Sequence, residues 1–233
     1  MKPKEAIILA GGLGTRLRRV LNNIPKPMAE VNGKPFLEYL LNYLKDQGIN
    51  RVILSVGYKW ETIRDYFKEN WEGIELLYSV EETPLGTGGA IKKSLKLTQE
   101  KDIFVLNGDT FFNISLKKLY NLHSIKHSHI TIALKFMEDA GRYGTVDIDK
   151  DNRIIGFREK IEGQKGFING GIYIINTDFI ASLDFPEAFS FEKDLLEKLY
   201  PKYKFYGLPF NEYFIDIGIP QDYEKAKRDF QKF

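Results

Sequence analysis

The chain has 233 residues, 43% of them apolar and 28% charged, with 34 basic and 32 acidic side chains. That is long enough to bury a substantial core, and the near balance of charge gives no reason to expect a nucleic-acid or membrane partner. The sequence contains no cysteine, which excludes disulfides, thiol catalysis and cysteine-ligated metals; a cytoplasmic location is expected.

Ala6 to Ala10 is a short apolar run bounded by glycines, as in a buried strand. Gly11, Gly12 and Gly14 follow, then Thr15, Arg16, Leu17, Arg18 and Arg19. Glycines at a strand end expose backbone N–H groups that can cradle an anion, and Arg16 adds a forked cation. Lys26, between Pro25 and Pro27, is a second cation on a stiffened backbone. The loop fits neither G-x-G-x-x-G nor G-x-x-x-x-G-K-[ST], so it is read as a triphosphate grip of another kind.

Periodicity then predicts a helix over Pro35 to Lys45 closed by Gly48, a strand over Arg51 to Val56 and a helix over Trp60 to Phe67. A strand over Ile74 to Ser79, a helix over Gly88 to Leu97 and a strand over Asp102 to Leu106 come next. This alternation implies βαβ units, with ligands gathered beyond the carboxyl ends of the strands. The second half reads as strands over Ile130 to Lys135, Thr145 to Ile148, Arg153 to Phe157 and Phe167 to Ile175. Ser190 is read as the N-cap of a helix, Tyr203 to Leu208 and Tyr213 to Ile217 as strands, and Pro220 as the opening of a last helix. From Tyr223 onward that helix reads as solvated. The expected fold is α/β, a Rossmann-like open, mainly parallel twisted sheet flanked by helices. One domain covers 1–233, with a nucleotide half over about 1–110 and a sugar half over about 111–233.

GGLGTRL coupled to PKP resembles the signature of the sugar nucleotidyltransferases, or nucleotide-sugar pyrophosphorylases, and the likeness runs along nearly the whole chain. It implies transfer of a nucleotidyl group from a nucleoside triphosphate to a sugar 1-phosphate, releasing pyrophosphate and forming an NDP-sugar for cell-surface polysaccharide. The nucleophile is a phosphate oxygen already largely ionised at neutral pH, so cations, backbone donors and a hard metal are needed rather than a general base. By resemblance, Arg16 and Lys26 act on the phosphates, and Asp109 in LNGD and Asp216 in FIDIG hold Mg²⁺. Leu9, Gly11, Gly12, Gly14, Thr15 and the LGTGGA loop with Gly86 and Thr87 take the nucleotide. In that loop, small residues would let a planar base approach the backbone.

Glu81, and less so Glu82, could accept from the guanine N–H groups. Gly144 in YG, Glu159 and Lys160 in EK, and Asn169 and Gly170 in a strand segment rich in glycine would meet the sugar, with Lys160 orienting its phosphate. The segments GGLGTRLRxxxNxIPKPM, EExPLGTGGAI and NGDTFF are most similar to the branch that guanylylates a heptose 1-phosphate. Mannose, glucose or N-acetylmuramic acid 1-phosphate with GTP, dTTP or UTP stay open as substrates, as does a non-catalytic nucleotide-sugar sensor. No β-helix extension of the bifunctional relatives is seen, so acetyl transfer is not expected; a homo-oligomer is left open. His123, His127 and His129 are read as helix-end residues rather than a zinc site.

Overall fold

The structure is a computed structural model that describes residues 2–12 and 24–232. Strand β1 (Glu5–Leu9) leads past the glycines to the hairpin β2 (Glu30–Val31) and β3 (Lys34–Pro35), then helix α1 (Phe36–Asp46). Strand β4 (Arg51–Val56), helix α2 (Trp60–Phe67), the two-residue β5 (Asn70–Trp71) and β6 (Ile74–Val80) follow. Next come α3 (Gly86–Ser94), β7 (Asp102–Asn107), β8 (Thr110–Phe112), α4 (Leu116–Ile125) and β9 (Ile130–Met137). The hairpin β10 (Thr145–Ile148) and β11 (Ile154–Arg158), the long β12 (Gly166–Asn176) and α5 (Thr177–Ser182) complete the middle of the chain. A π-helical turn over Phe191–Leu196 runs into α6 (Glu197–Leu199), and β13 (Phe205–Phe210), β14 (Phe214–Asp216) and α7 (Pro220–Asp229) close it.

Eight strands form one sheet in the order β13-β9-β12-β7-β1-β4-β6-β5. The block β7-β1-β4-β6 is parallel throughout, whereas β12 runs antiparallel between β7 and β9. The sheet is mainly parallel, as expected, and its parallel block carries the first half of the chain. Its strands are buried on both faces: Ala6 and Ile8 enter one apolar cluster with Val52, Leu54, Phe104 and Leu106, while Ile7, Ile53, Ile103 and Val105 enter the other. Helices cover both faces, which is why these strands read as continuous apolar runs. Among the described residues, no helix is long and apolar enough to cross a membrane.

The short strands β2, β3, β5 and β8 and the helices α4 and α5 had no predicted span, and two of the expected elements differ in character. The C-terminal helix is not solvated all round, because Tyr223, Ala226 and Phe230 are buried. The Phe230 ring lies 4.7 Å from Tyr39 and 5.0 Å from Phe111, so an otherwise charged segment docks on an aromatic stripe. Ser190 does cap a helix, its hydroxyl accepting from Lys193 N–H at 3.1 Å, but the first turns are π rather than α.

Candidate active site

The chain runs β1, β4, β6 outward in one direction and then places β7 on the other side of β1. That reversal opens a crevice beyond the carboxyl ends of β1 and β7, where an open α/β sheet binds its ligand. A cavity of about 620 Å³ lies there. Each of the four parallel strands feeds it from its carboxyl end: Leu9, Gly11 and Gly12 after β1, Gly57 and Tyr58 after β4, Glu81 and Glu82 after β6, Asn107 and Asp109 after β7. Gly108 must be glycine, since a Cβ there would lie 2.5 Å from the Leu9 carbonyl oxygen that its own N–H bonds at 2.9 Å.

Of the residues assigned to the nucleotide, Leu9, Gly11, Gly12, Glu81, Gly86, Thr87 and Asp109 all line this one cavity. Gly14, Thr15 and Arg16 lie outside the described residues. Nothing lies within 4 Å of a Cβ built on Gly12, so its backbone faces open space, whereas Glu81 Oε1 stands 2.8 Å from the corresponding point at Gly11. The Glu81 carboxylate accepts from Ser55 Oγ at 3.3 Å and from Leu85 N–H at 3.1 Å, which ties the start of α3 to the strand ends.

The glycines of the LGTGGA loop are explained differently from expectation. A Cβ on Gly86 would lie 2.5 Å from the Phe189 carbonyl oxygen, one on Gly88 would lie 2.2 Å from the Phe189 ring, and one on Gly89 would lie 2.2 Å from the Glu187 carbonyl oxygen. A returning segment of this chain takes the side-chain space at all three. Thr87 still faces the cavity, and its hydroxyl donates to Glu192 Oε2 at 2.6 Å while accepting from Phe191 N–H at 2.9 Å. Glu192 lines the cavity and was not foreseen. No local pattern could mark it, because the contact that places it spans 105 residues. Tyr58 and Asn107 were likewise missed, although Asn107 directly follows a predicted strand and Tyr58 comes two residues after one.

The two aspartates meet through a small ladder. Strand β14 pairs antiparallel with β8, setting Asp216 opposite Thr110, and Ile217 N–H bonds the Asp109 carbonyl at 2.9 Å. Lys26 sits in a 3-10 turn closed by the Met28 N–H to Pro25 carbonyl bond of 2.8 Å. Its ammonium is bonded to Asp109 Oδ2 and lies 4.0 Å from Asp216 Oδ1. Asp216 also accepts from Gly218 N–H at 2.7 Å. Burial and then the neighbouring Asp109 push the Asp216 carboxyl above its ordinary range, against the opposing pull of Lys26 and the Gly218 N–H. Among the described residues no three His, Asp or Glu side chains converge as ligands, and the three histidines form no such group. Buried His123 instead bonds Thr131 at 3.0 Å. Two carboxylates suit a hard divalent cation that completes its shell with phosphates and waters, as Mg²⁺ does.

The sugar half is brought together less fully. Asn169 donates to the Tyr173 hydroxyl at 2.8 Å, and that hydroxyl lies 3.4 Å from Glu192 Oε1, so Asn169 reaches the cavity wall through one intermediary. The β12 register shifts between Asn169 and Tyr173, the bulge that strand glycines signal. The gap at Gly170, however, is filled by the Phe112 ring, 2.6 Å from a Cβ built there. Gly144 has φ +74° and a Cβ there would meet the Arg158 carbonyl at 2.7 Å, so the backbone itself requires glycine. Neighbouring Tyr143 packs edge-on against Phe214, and its hydroxyl is pushed up to about 12, first by burial and then by Asp216, leaving a protonated donor at neutral pH. Glu159 and Lys160 are exposed just beyond β11 and do not line the cavity.

The Nucleotidyl transferase family profile matches residues 5–232. The chain belongs to that family. This nucleotidyltransferase is 50% identical over 229 residues to a D-glycero-alpha-D-manno-heptose 1-phosphate guanylyltransferase of Aneurinibacillus thermoaerophilus, covering 98% of this chain and 99% of that one. It is 51% identical over 219 residues to the protein of that name from Campylobacter jejuni, covering 94% and 96%. Among solved structures, HddC from Yersinia pseudotuberculosis superposes with a TM-score of 0.87 at 42% identity, covering 98% of this chain and 100% of that chain. The same protein complexed with GMP-PN gives 0.86. A putative glucose-1-phosphate thymidylyltransferase from Bacillus anthracis shares the fold at 19% identity and a TM-score of 0.83, covering 98% of this chain and 96% of that chain.

Proposed function

We propose that this nucleotidyltransferase transfers a guanylyl group from GTP to D-glycero-alpha-D-manno-heptose 1-phosphate, releasing pyrophosphate, in the cytoplasm. The observation that carries the reading is the convergence of every described nucleotide residue except Lys26 on the cavity beyond β1 and β7, beside the Lys26–Asp109–Asp216 group. Near-full-length identity to two heptose 1-phosphate guanylyltransferases supports the base and the sugar.

In this reading Gly11 and Gly12 present backbone donors to the phosphates, Arg16 and Lys26 neutralise them, and Glu81 accepts from guanine. Asp109 and Asp216 hold Mg²⁺, which would shield the charge shared by the two phosphate groups. Tyr143 holds a proton beside Asp216, and Glu192 stands ready to accept from substrate hydroxyls. Asn169, Gly170, Gly144, Glu159 and Lys160 serve the sugar, the last two from a loop packed against residues 140–144. The intact cation and carboxylate set favours an enzyme over a sensor.

The test is pyrophosphate release with each of GTP, ATP, UTP and dTTP against heptose, mannose, glucose and N-acetylmuramic acid 1-phosphates. GTP with heptose 1-phosphate should give the highest kcat/KM. Faster turnover of any other pair would replace the assignment, and no turnover with any pair would favour the sensor.

A further inference from the structure

Lys26 bonds one of the two carboxylates that would hold the divalent cation and sets its charge near the other. Its ammonium bonds Asp109 Oδ2 and stands 4.0 Å from Asp216 Oδ1, on a side chain only 13% exposed. The turn that carries it is fixed at both ends, by Pro25 and by the buried Pro27 and Met28, so the ammonium cannot drift far from this place without a change of rotamer. The opposite wall is equally tight: Gly218 leaves the room, since a Cβ there would lie 2.8 Å from Asp216 Oδ1 and 3.3 Å from Lys26 Nζ. One positive charge therefore serves two negative ones, and the group keeps a net attraction for a further cation.

We infer that Lys26 is an internal counter-ion that holds Asp109 and Asp216 together and competes with the divalent cation for them. This rests on the metal role proposed above for the two aspartates. The ammonium occupies an Asp109 oxygen and sets its charge beside Asp216, so it would repel a cation that approaches either carboxylate. Cation entry then requires Lys26 to give up Asp109, which frees its three N–H donors for an incoming phosphate. Lys26 thus couples occupation of the carboxylates to occupation of the phosphate loop: nucleotide draws the ammonium away and favours the metal, and the metal returns the effect by linkage.

Binding of Mn²⁺ to the nucleotide-free protein, read as loss of the free-ion paramagnetic resonance signal, tests this without turnover. Lys26→Met should tighten Mn²⁺ binding about tenfold, within the usual range of a coupling between sites. An unchanged or weaker affinity in a folded Lys26→Met protein overturns the inference. The gain must vanish in Lys26→Met/Asp109→Asn; a gain that persists there also overturns it, because the ion would be bound elsewhere. If Lys26→Met does not fold, Lys26→Arg decides alone. Its forked guanidinium grips a carboxylate more firmly, so Mn²⁺ affinity should fall severalfold, and equal or tighter binding refutes competition. Failure of guanylyl transfer by the wild-type protein would sink the proposed reaction and leave the Mn²⁺ comparison intact.

Discussion

Thr87 and Glu192 stand 105 residues apart in the chain and share a hydrogen bond of 2.6 Å at the wall of the cavity. The bond joins the first turn of α3, beside the nucleotide loop, to the π turn that reaches toward Tyr173 and Asn169. Thr87→Val keeps the shape but strips the hydroxyl, leaving Phe191 N–H and one Glu192 oxygen without it. Unfolding in urea should show a loss of about 1–3 kcal/mol, the usual cost of orphaning buried polar groups. A stability change within error would mean that water replaces the hydroxyl freely.

The glycines divide into two kinds, and alanine substitutions separate them. Gly89→Ala drives a Cβ to 2.2 Å from a backbone carbonyl oxygen that cannot rotate away, and should destabilise by about 1–3 kcal/mol. Gly12→Ala meets nothing within 4 Å, so the melting temperature should hold while the apparent affinity for GTP falls. Equal nucleotide affinity in Gly12→Ala would remove that backbone from the phosphate contacts.

Glu81 has both a structural and a reading role to answer for. Glu81→Gln keeps an acceptor but offers an amide N–H₂ donor where a guanine N–H would point. The ratio of kcat/KM for GTP over UTP should drop about tenfold, in line with the 1–3 kcal/mol typical of base-edge discrimination. An unchanged ratio alongside reduced stability would restrict Glu81 to tying Leu85 and Ser55.

The imidazole of His129 accepts from Lys204 N–H at 3.1 Å and packs 4.5 Å from the Phe179 ring. Burial first, then the charges of Lys204 and His123, hold its pKa below the ordinary 6.5. Because the folded value is the lower one, its contribution to stability is complete above the ordinary value and is lost as pH falls through the folded one. The urea midpoint should therefore drop as pH falls below about 6.5, and His129→Gln should flatten that part of the profile. A parallel decline in the variant would assign the acid sensitivity to other groups.

Phe230 measures how firmly the last helix is docked. Phe230→Ala empties a site 2% exposed and ringed by Phe36, Tyr39 and Phe111, and should lower stability by about 3–5 kcal/mol. A loss below about 1 kcal/mol, the range of surface substitutions, would show the segment to be peripheral.

The sequence alone determined the main strands and helices of the first half and the identity of about half of the cavity residues. Period and punctuation are local properties: the strand Arg51–Val56 and the helix Trp60–Phe67 fall where their patterns predict. Gly11 and Asp109 were legible partly because in a parallel block every strand delivers the residues after it to one end, and Glu81 because a carboxylate before the LGTGGA loop suits guanine N–H groups. Only the tertiary structure decided which of two partners each polar or small residue would meet. Glu192 joined the wall, Phe189 covered the glycines of α3, Phe112 filled the space at Gly170, and Lys26 turned to Asp109, all through contacts between distant segments. Such contacts depend on how segments pack against one another across the sheet, and neither residue of a pair carries a local sign of its partner.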